Sequence, residues 1–151
     1  MKKALFAGSF DPFTNGHLYI LKQASEIFDE VIVAVAYNSE KKGFLPVEKR
    51  LGLIIKSVTE LENVSVDSYE DLTINYAKKN GVNILVRGIR NASDFEYEQQ
   101  IATVNRSLAP EITTIFFIPK PENAYISSSM VREVYLNNGN ISEFVPFIWE
   151  D

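Results

Sequence analysis

Residues 3–17 read Lys3-Ala4-Leu5-Phe6-Ala7-Gly8-Ser9-Phe10-Asp11-Pro12-Phe13-Thr14-Asn15-Gly16-His17, and the order of residue types in this stretch decides the fold. Lys3–Ala7 is an apolar run of strand length. Gly8 to Gly16 is a loop carrying Gly, Pro and Asn, the residues that punctuate secondary structure. From His17 onward Leu18, Leu21, Ala24 and Phe28 recur at helical spacing. Strand, loop and amphipathic helix in that order open a βαβ unit.

The same alternation continues outward. Further strands are predicted at Val31–Tyr37, Val64–Asp67, Ile84–Arg87 and Thr114–Ile118. They are mostly continuous apolar runs, as in a parallel sheet covered on both faces. Leu51, Ile54, Ile55 and Val58 share a helix face behind Pro46, placed as a first-turn residue. Leu72 to Lys79 forms a third helix, stopped by a left-handed cap at Asn80-Gly81. Tyr97, Ile101, Val104 and Leu108 share a fourth face, and Met130, Val131, Val134 and Tyr135 a fifth. The prediction is an α/β fold: a five-stranded parallel sheet with helices on both faces and right-handed crossovers. The 151 residues suit one domain over 1–151.

Composition removes several function classes. There is no Cys and only one His. Thiol nucleophiles, Cys-based metal sites and two-His metal centres are therefore excluded. A net charge of −5 argues against nonspecific binding to nucleic acid or to an anionic membrane. The apolar run after the first lysines is too short for a signal peptide, and no run is long enough to span a bilayer. The expectation is a cytoplasmic protein.

In such a fold ligands sit at the carboxyl ends of the strands. The first of these ends is Gly8–His17, which is neither GxGxxG nor a Walker A loop. Gly8 would allow close backbone approach, and the first turn of the helix would offer free N–H groups to an anion. His17 either caps its own helix or donates to a phosphate. Lys41 and Lys42 follow the second strand, and Arg87 and Arg90 the fourth. Several basic loops on one sheet edge of an acidic protein suggest a polyanion pocket. Asp94 and Glu96 either answer a helix dipole or receive a ribose hydroxyl. Ser127, Ser128 and Ser129 open the last helix, either as a cap or as hydroxyls offered to a phosphate chain.

Taken together these segments resemble the nucleotidyltransferases. Thr14-Asn15-Gly16-His17 looks like the TxGH variant of their HxGH signature, and Ile126–Arg132 like their ISSSxxR signature. GSFDPFTNGH, the Lys41-Lys42 pair, VRGIR (Val86–Arg90), DFEYEQQIATVNRSLAPE (Asp94–Glu111) and YISSSMVRE (Tyr125–Glu133) are most similar to the bacterial phosphopantetheine adenylyltransferase family. The resemblance implies a Rossmann-like fold, a homohexamer, magnesium (Mg2+), and a reaction of ATP with 4′-phosphopantetheine that yields dephospho-coenzyme A and pyrophosphate. It also implies that Ser9, Lys41, Thr73 and Arg87 hold phosphopantetheine. Ser9, Phe10, His17, Gly88, Ile89, Arg90, Glu98 and the loop Asn123, Ala124, Tyr125, Ile126, Ser127, Ser128 and Ser129 would hold ATP. His17, Lys41, Arg90 and Ser9 would act on the charge developing at the α-phosphate, and magnesium would sit on phosphate oxygens and water, with few carboxylates near.

The chain departs from the family pattern at three places. Ser9 replaces a usual Thr and keeps the hydroxyl. Tyr19 replaces a usual Asp. The chain stops at Phe147–Asp151, where family members tend to continue into another helix. On the acceptor side, Leu72 and Thr73 are expected to offer apolar contact and backbone amides to a slender chain, or Leu72 to pack its helix. Rival readings are an adenylyltransferase for nicotinamide mononucleotide, a cytidylyltransferase, a non-catalytic nucleotide-binding module, and a nicotinamide-dependent oxidoreductase. VRGIR with DFEYE, His17 with its cations, and the missing GxGxxG argue against them in turn.

Overall fold

The central apolar runs become strands because both of their sides are covered. The computed structural model describes residues 1–149; Glu150 and Asp151, and with them the last residues of the predicted domain, lie outside that description. The elements in chain order are β1 (Lys3–Gly8), α1 (Asn15–Ile27), β2 (Glu30–Ala36), α2 (Val47–Ser57), β3 (Val64–Tyr69), α3 (Thr73–Lys79), β4 (Ile84–Gly88), α4 (Ala92–Leu108), β5 (Thr113–Phe117) and α5 (Ser128–Leu136). All strand pairings are parallel, in the order β3-β2-β1-β4-β5. The order reverses between β1 and β4, so the carboxyl ends of these two strands flank the crevice where such sheets bind ligands.

Alternate residues of each strand feed two cores. Ala4, Phe6, Val31, Val33, Val35 and Val86 pack with Ile20, Leu21, Ala24 and Phe28 and with Ile54 of α2. Leu5, Ala7, Ile32, Ala34 and Leu85 pack on the other face with Ile74, Tyr76 and Ala77 of α3 and with Ala109 and Ile112 beyond α4. A third cluster joins Ile126 and Val131 to Ile141 and Val145 of the tail.

Several sequence expectations shift. Pro46 is the N-cap of α2 rather than its first residue, and Leu53, not Ile55, is buried; Ile55 is exposed. Leu72 caps α3 instead of belonging to it; within the Asn80-Gly81 pair that ends α3, as expected, Gly81 is the left-handed residue, at φ 68°. The predicted fifth strand moves back one residue, because pairing with β4 ends at Gly88↔Phe117 and Ile118 runs out to solvent. β3, at the sheet edge, alternates half-buried and exposed residues and reaches full burial only at Tyr69. The largest departure is α4. Tyr97, Val104 and Leu108 are exposed, and the one buried residue of that helix is Glu98.

Candidate active site

The first loop is built around aromatic packing. Phe10 adopts φ 46°, a left-handed conformation rare for an aromatic residue. Its ring meets Phe6, Phe13 and His17 edge-on at centroid distances of 5.2, 5.4 and 5.0 Å. A Cβ on Gly8 would lie 3.2 Å from the Phe10 ring. The glycine therefore makes room for Phe10, and Gly8 itself lines both cavities described below.

Thr14 caps α1 and His17 closes the box. The His17 N–H donates to Thr14 Oγ1 at 3.3 Å, and the Thr14 N–H donates to His17 Nδ1 at 3.0 Å. A nitrogen that accepts a backbone N–H carries no proton, so the neutral ring holds its proton on Nε2. Burial among the phenyl rings, aided by the charges of Arg87 and Arg90, lowers the His17 pKa to about 3. At neutral pH the side chain is a neutral Nε2–H donor. The start of α1 is less open to an anion than the sequence implies. The Asn15 N–H is taken by the Phe144 carbonyl at 2.8 Å and the His17 N–H by Thr14.

Two cavities open at the carboxyl ends of β1 and β4. The larger, about 250 Å3, is lined by Gly8, Ser9, Phe10 and His17 from the first loop. Arg87, Gly88, Arg90, Asp94 and Glu98 line it from β4 and α4, and Asn123, Ile126, Ser127 and Ser128 from the last loop. The second, about 180 Å3, lies toward β2, β3 and α3 and is lined by Ala7, Gly8, Ala36, Tyr69, Thr73, Arg87, Glu98, Ile101 and Asn105 among others. Ala7, Gly8, Arg87 and Glu98 face both and form the shared wall.

Arg87 and Glu98 meet fork to fork, Nε to Oε2 at 2.8 Å and Nη2 to Oε1 at 2.6 Å. Arg87 Nη1 also donates to the Ala7 carbonyl. Burial works against the Arg87 charge, but the Glu98 hydrogen bonds and charge outweigh it and raise its pKa. Five guanidinium N–H groups less three bonds leave two donors for a ligand. Arg90 pairs with Asp94 in the same way, Nε to Oδ2 at 2.9 Å and Nη2 to Oδ1 at 3.2 Å. The crevice holds two carboxylates, Asp94 and Glu98, and each is bound to an arginine. Asp94 is taken by Arg90 rather than standing open for a ribose.

The serine loop is equally engaged. Ser127 Oγ accepts the Met130 N–H at 3.1 Å, so the capping reading holds for it. Ser128 Oγ donates to the Pro12 carbonyl at 2.8 Å, and Ser129 Oγ accepts from Arg132 at 3.1 Å. Arg132 also donates to the Asp11 carbonyl at 2.8 Å, so the last loop is clamped onto the first.

Of the residues singled out in the sequence, Ser9, Phe10, His17, Thr73, Arg87, Gly88, Arg90, Glu98, Asn123, Ile126, Ser127 and Ser128 line one or both cavities. Ile89, Ala124, Tyr125 and Ser129 neighbour them in sequence without lining either, and Lys41 stands exposed on the loop after β2. Leu72 is exposed and lines neither cavity, so it serves neither of its expected roles. Sequence reasoning missed Asn105 and the buried Asp11–Arg50 pair. A polar residue mid-helix and a charge behind an ordinary helix start carry no local signal.

The cytidylyltransferase-like family model matches residues 5–134. A phosphopantetheine adenylyltransferase of Nautilia profundicola is 46% identical over 144 residues, covering 95% of this chain and 94% of that one. Enzymes of the same name from Alkaliphilus metalliredigens and Helicobacter hepaticus are 45% and 48% identical over 98% and 95% of this chain, covering 94% and 87% of theirs. Among solved structures, a bifunctional NMN adenylyltransferase/ADP ribose pyrophosphatase from Francisella tularensis superposes with a TM-score of 0.73 at 17% identity, over 97% of this chain and 45% of that one. A lipopolysaccharide core biosynthesis protein from Thermoplasma volcanium gives 0.56 at 22% identity, over 80% and 97%. These distant likenesses bear on the fold alone. The family match and the full-length relatives decide the rest: the chain belongs to the phosphopantetheine adenylyltransferases, within the cytidylyltransferase-like family.

Proposed function

We propose that this protein transfers the adenylyl group of ATP to 4′-phosphopantetheine, forming dephospho-coenzyme A and releasing pyrophosphate in coenzyme A biosynthesis. The observation that carries the reading is the pair of cavities sharing the Arg87–Glu98 wall. ATP occupies the larger, between His17, Arg90 and the serine loop. Phosphopantetheine occupies the smaller, with its arm along Thr73 and its phosphate at the shared wall, at Arg87 and reaching Ser9 of the larger cavity. Lys41 reaches the same phosphate from the rim on its flexible stem.

An oxygen of the acceptor phosphate forms a bond to the α-phosphorus. The bond from that phosphorus to the bridging oxygen breaks, and pyrophosphate leaves with the electron pair. The nucleophile is already an anion and needs no general base. The chain's own work is to hold two anions in line and to offset their repulsion. The His17 Nε2–H, Arg90, Ser9 and Lys41 donate to the oxygens on which charge builds.

Among the described residues no three His, Asp or Glu side chains gather as a metal cage, and Asp94 and Glu98 are held by arginines. Magnesium enters the proposal on the phosphates of its ATP substrate, and no step is routed through it. No described helix is long and apolar enough to cross a membrane, and the proposal places the enzyme in the cytoplasm, where its nucleotide substrate is. The exposed apolar row on α4 supports self-association, which we propose is homohexameric.

Mixing the protein with ATP, magnesium and phosphopantetheine should give dephospho-coenzyme A by mass, in equal amount with pyrophosphate. Pyrophosphate release without that product would refute the assignment of the acceptor.

A further inference from the structure

Asp11 and Arg50 form a buried charged pair that the reaction leaves unused. Each is 7% exposed, and neither lines a cavity. Arg50 Nε lies 3.4 Å from Asp11 Oδ1. The Asp11 carboxylate accepts the backbone N–H of Phe44 at 2.7 Å and of Leu45 at 2.8 Å. Arg50 ties the same segments from its own side. Its Nε donates to the Leu45 carbonyl at 2.8 Å and its Nη1 to the Ser9 carbonyl at 3.3 Å. The packing has no slack. A Cβ on Gly43 would fall 1.9 Å from Arg50 Nη2 and 2.8 Å from Asp11 Oδ2.

A buried ion pair is weak evidence of a gain in stability, because desolvation offsets the attraction. This pair does fix geometry. Its bonds run between two loops at the edge of the crevice. One loop carries Ser9 and leads to His17. The other carries Lys41, three residues before Phe44. The far end of the Lys41 loop is fastened too: the Ser39 N–H donates to the Glu70 carboxylate, and the Lys41 N–H donates to the Asn38 carbonyl at 3.0 Å. Lys41 therefore hangs between two anchors, and the Asp11–Arg50 anchor is the one that refers it to Ser9.

We infer that the Asp11–Arg50 pair is a positioning device for Lys41, setting residues 38–45 against residues 8–17 so that the lysine faces Ser9 and His17 across the acceptor phosphate. The inference rests on the proposed role of Lys41 as a ligand of that phosphate. Neither member of the pair touches a reacting atom; both act through the loop.

A double-mutant cycle separates this from a purely structural role. Gly43→Ala keeps both charges and presses the loop away from them. Initial rates are measured with phosphopantetheine and ATP varied separately, for Gly43→Ala, Lys41→Ala and the double variant, with thermal unfolding of each. A misplaced lysine should lower kcat/KM for phosphopantetheine by about tenfold or more. The KM for ATP should stay within roughly twofold, and the double variant should be no worse than Lys41→Ala alone, as for residues acting through one interaction. Should Gly43→Ala fail to fold, Arg50→Lys enters the same cycle. Losses that multiply in the double variant, equal losses for both substrates, or unchanged kinetics in a folded Gly43→Ala protein would overturn the inference. If Lys41→Ala alone retains normal kinetics, the role of Lys41 itself has failed, and the positioning role falls with it.

Discussion

At the scale of the residue, His17 shows how one ring serves two ends. Capping its helix and donating to a phosphate are competing readings in the sequence. The structure reconciles them, because Nδ1 closes the capping box while Nε2–H remains for the crevice. The place of the histidine was legible from Gly16-His17. Its tautomer was not, since that depends on the Thr14 amide and on how Phe6, Phe10 and Phe13 close around the ring. The chain has a single His, so the consequence is directly readable. The folded pKa of about 3 lies below the 6.5 of an ordinary imidazole, so the unfolded chain takes up the proton first as pH falls. The stability this contributes is complete above pH 6.5 and is lost as pH drops from there toward 3, by up to about 1.4 kcal/mol per pH unit. The imidazole NMR signals of the folded protein should stay still from pH 8 to about 5. Denaturant unfolding of His17→Gln should show a flatter pH dependence over that window than the parent. An imidazole titrating near its ordinary value in the folded protein would contradict the half-buried, neutral donor.

At the scale of the element, α4 marks where periodicity stops being informative. The repeat Tyr97, Ile101, Val104, Leu108 correctly announced a helix, and α4 runs from Ala92 to Leu108. A stripe on a helix does not say what covers it. Here the sheet is contacted instead through the Glu98 side, which grips Arg87, while Tyr97, Val104 and Leu108 are 64, 56 and 58% exposed. An exposed apolar row of this kind marks an interaction face, and the homohexamer proposed above would cover it. Val104→Glu together with Leu108→Glu should leave the fold intact, since neither residue is in a core cluster. Sedimentation should show the parent at the mass of six chains and the variant at a smaller assembly. The same mass for both, or a parent that sediments as one chain, would contradict a role for this face in self-association.

At the scale of the whole molecule, the order of elements was enough to give the parallel sheet, and the strand-end rule pointed to the first, fourth and last loops, which line the crevice, while the Lys41-Lys42 loop after β2 lines neither cavity. The long-range bonds that lock those loops were out of reach. Arg132 and Asp11 are 121 positions apart, and Arg50 gives no sign in its own segment of closing on Asp11. The two cavities at the switch point likewise appear only once β1 and β4 stand side by side, with Arg87 and Glu98 between them. The smaller cavity beyond that wall, about 180 Å3 against about 250 Å3, is the one proposed above for the acceptor. The most direct test is the steady-state comparison of acceptors at saturating ATP and magnesium. Phosphopantetheine should be adenylylated with a kcat/KM about 10³-fold or more above that of nicotinamide mononucleotide, as expected when a site's polar groups are matched to one substrate and left unpaired by the other. Comparable kcat/KM values for the two acceptors would contradict the account.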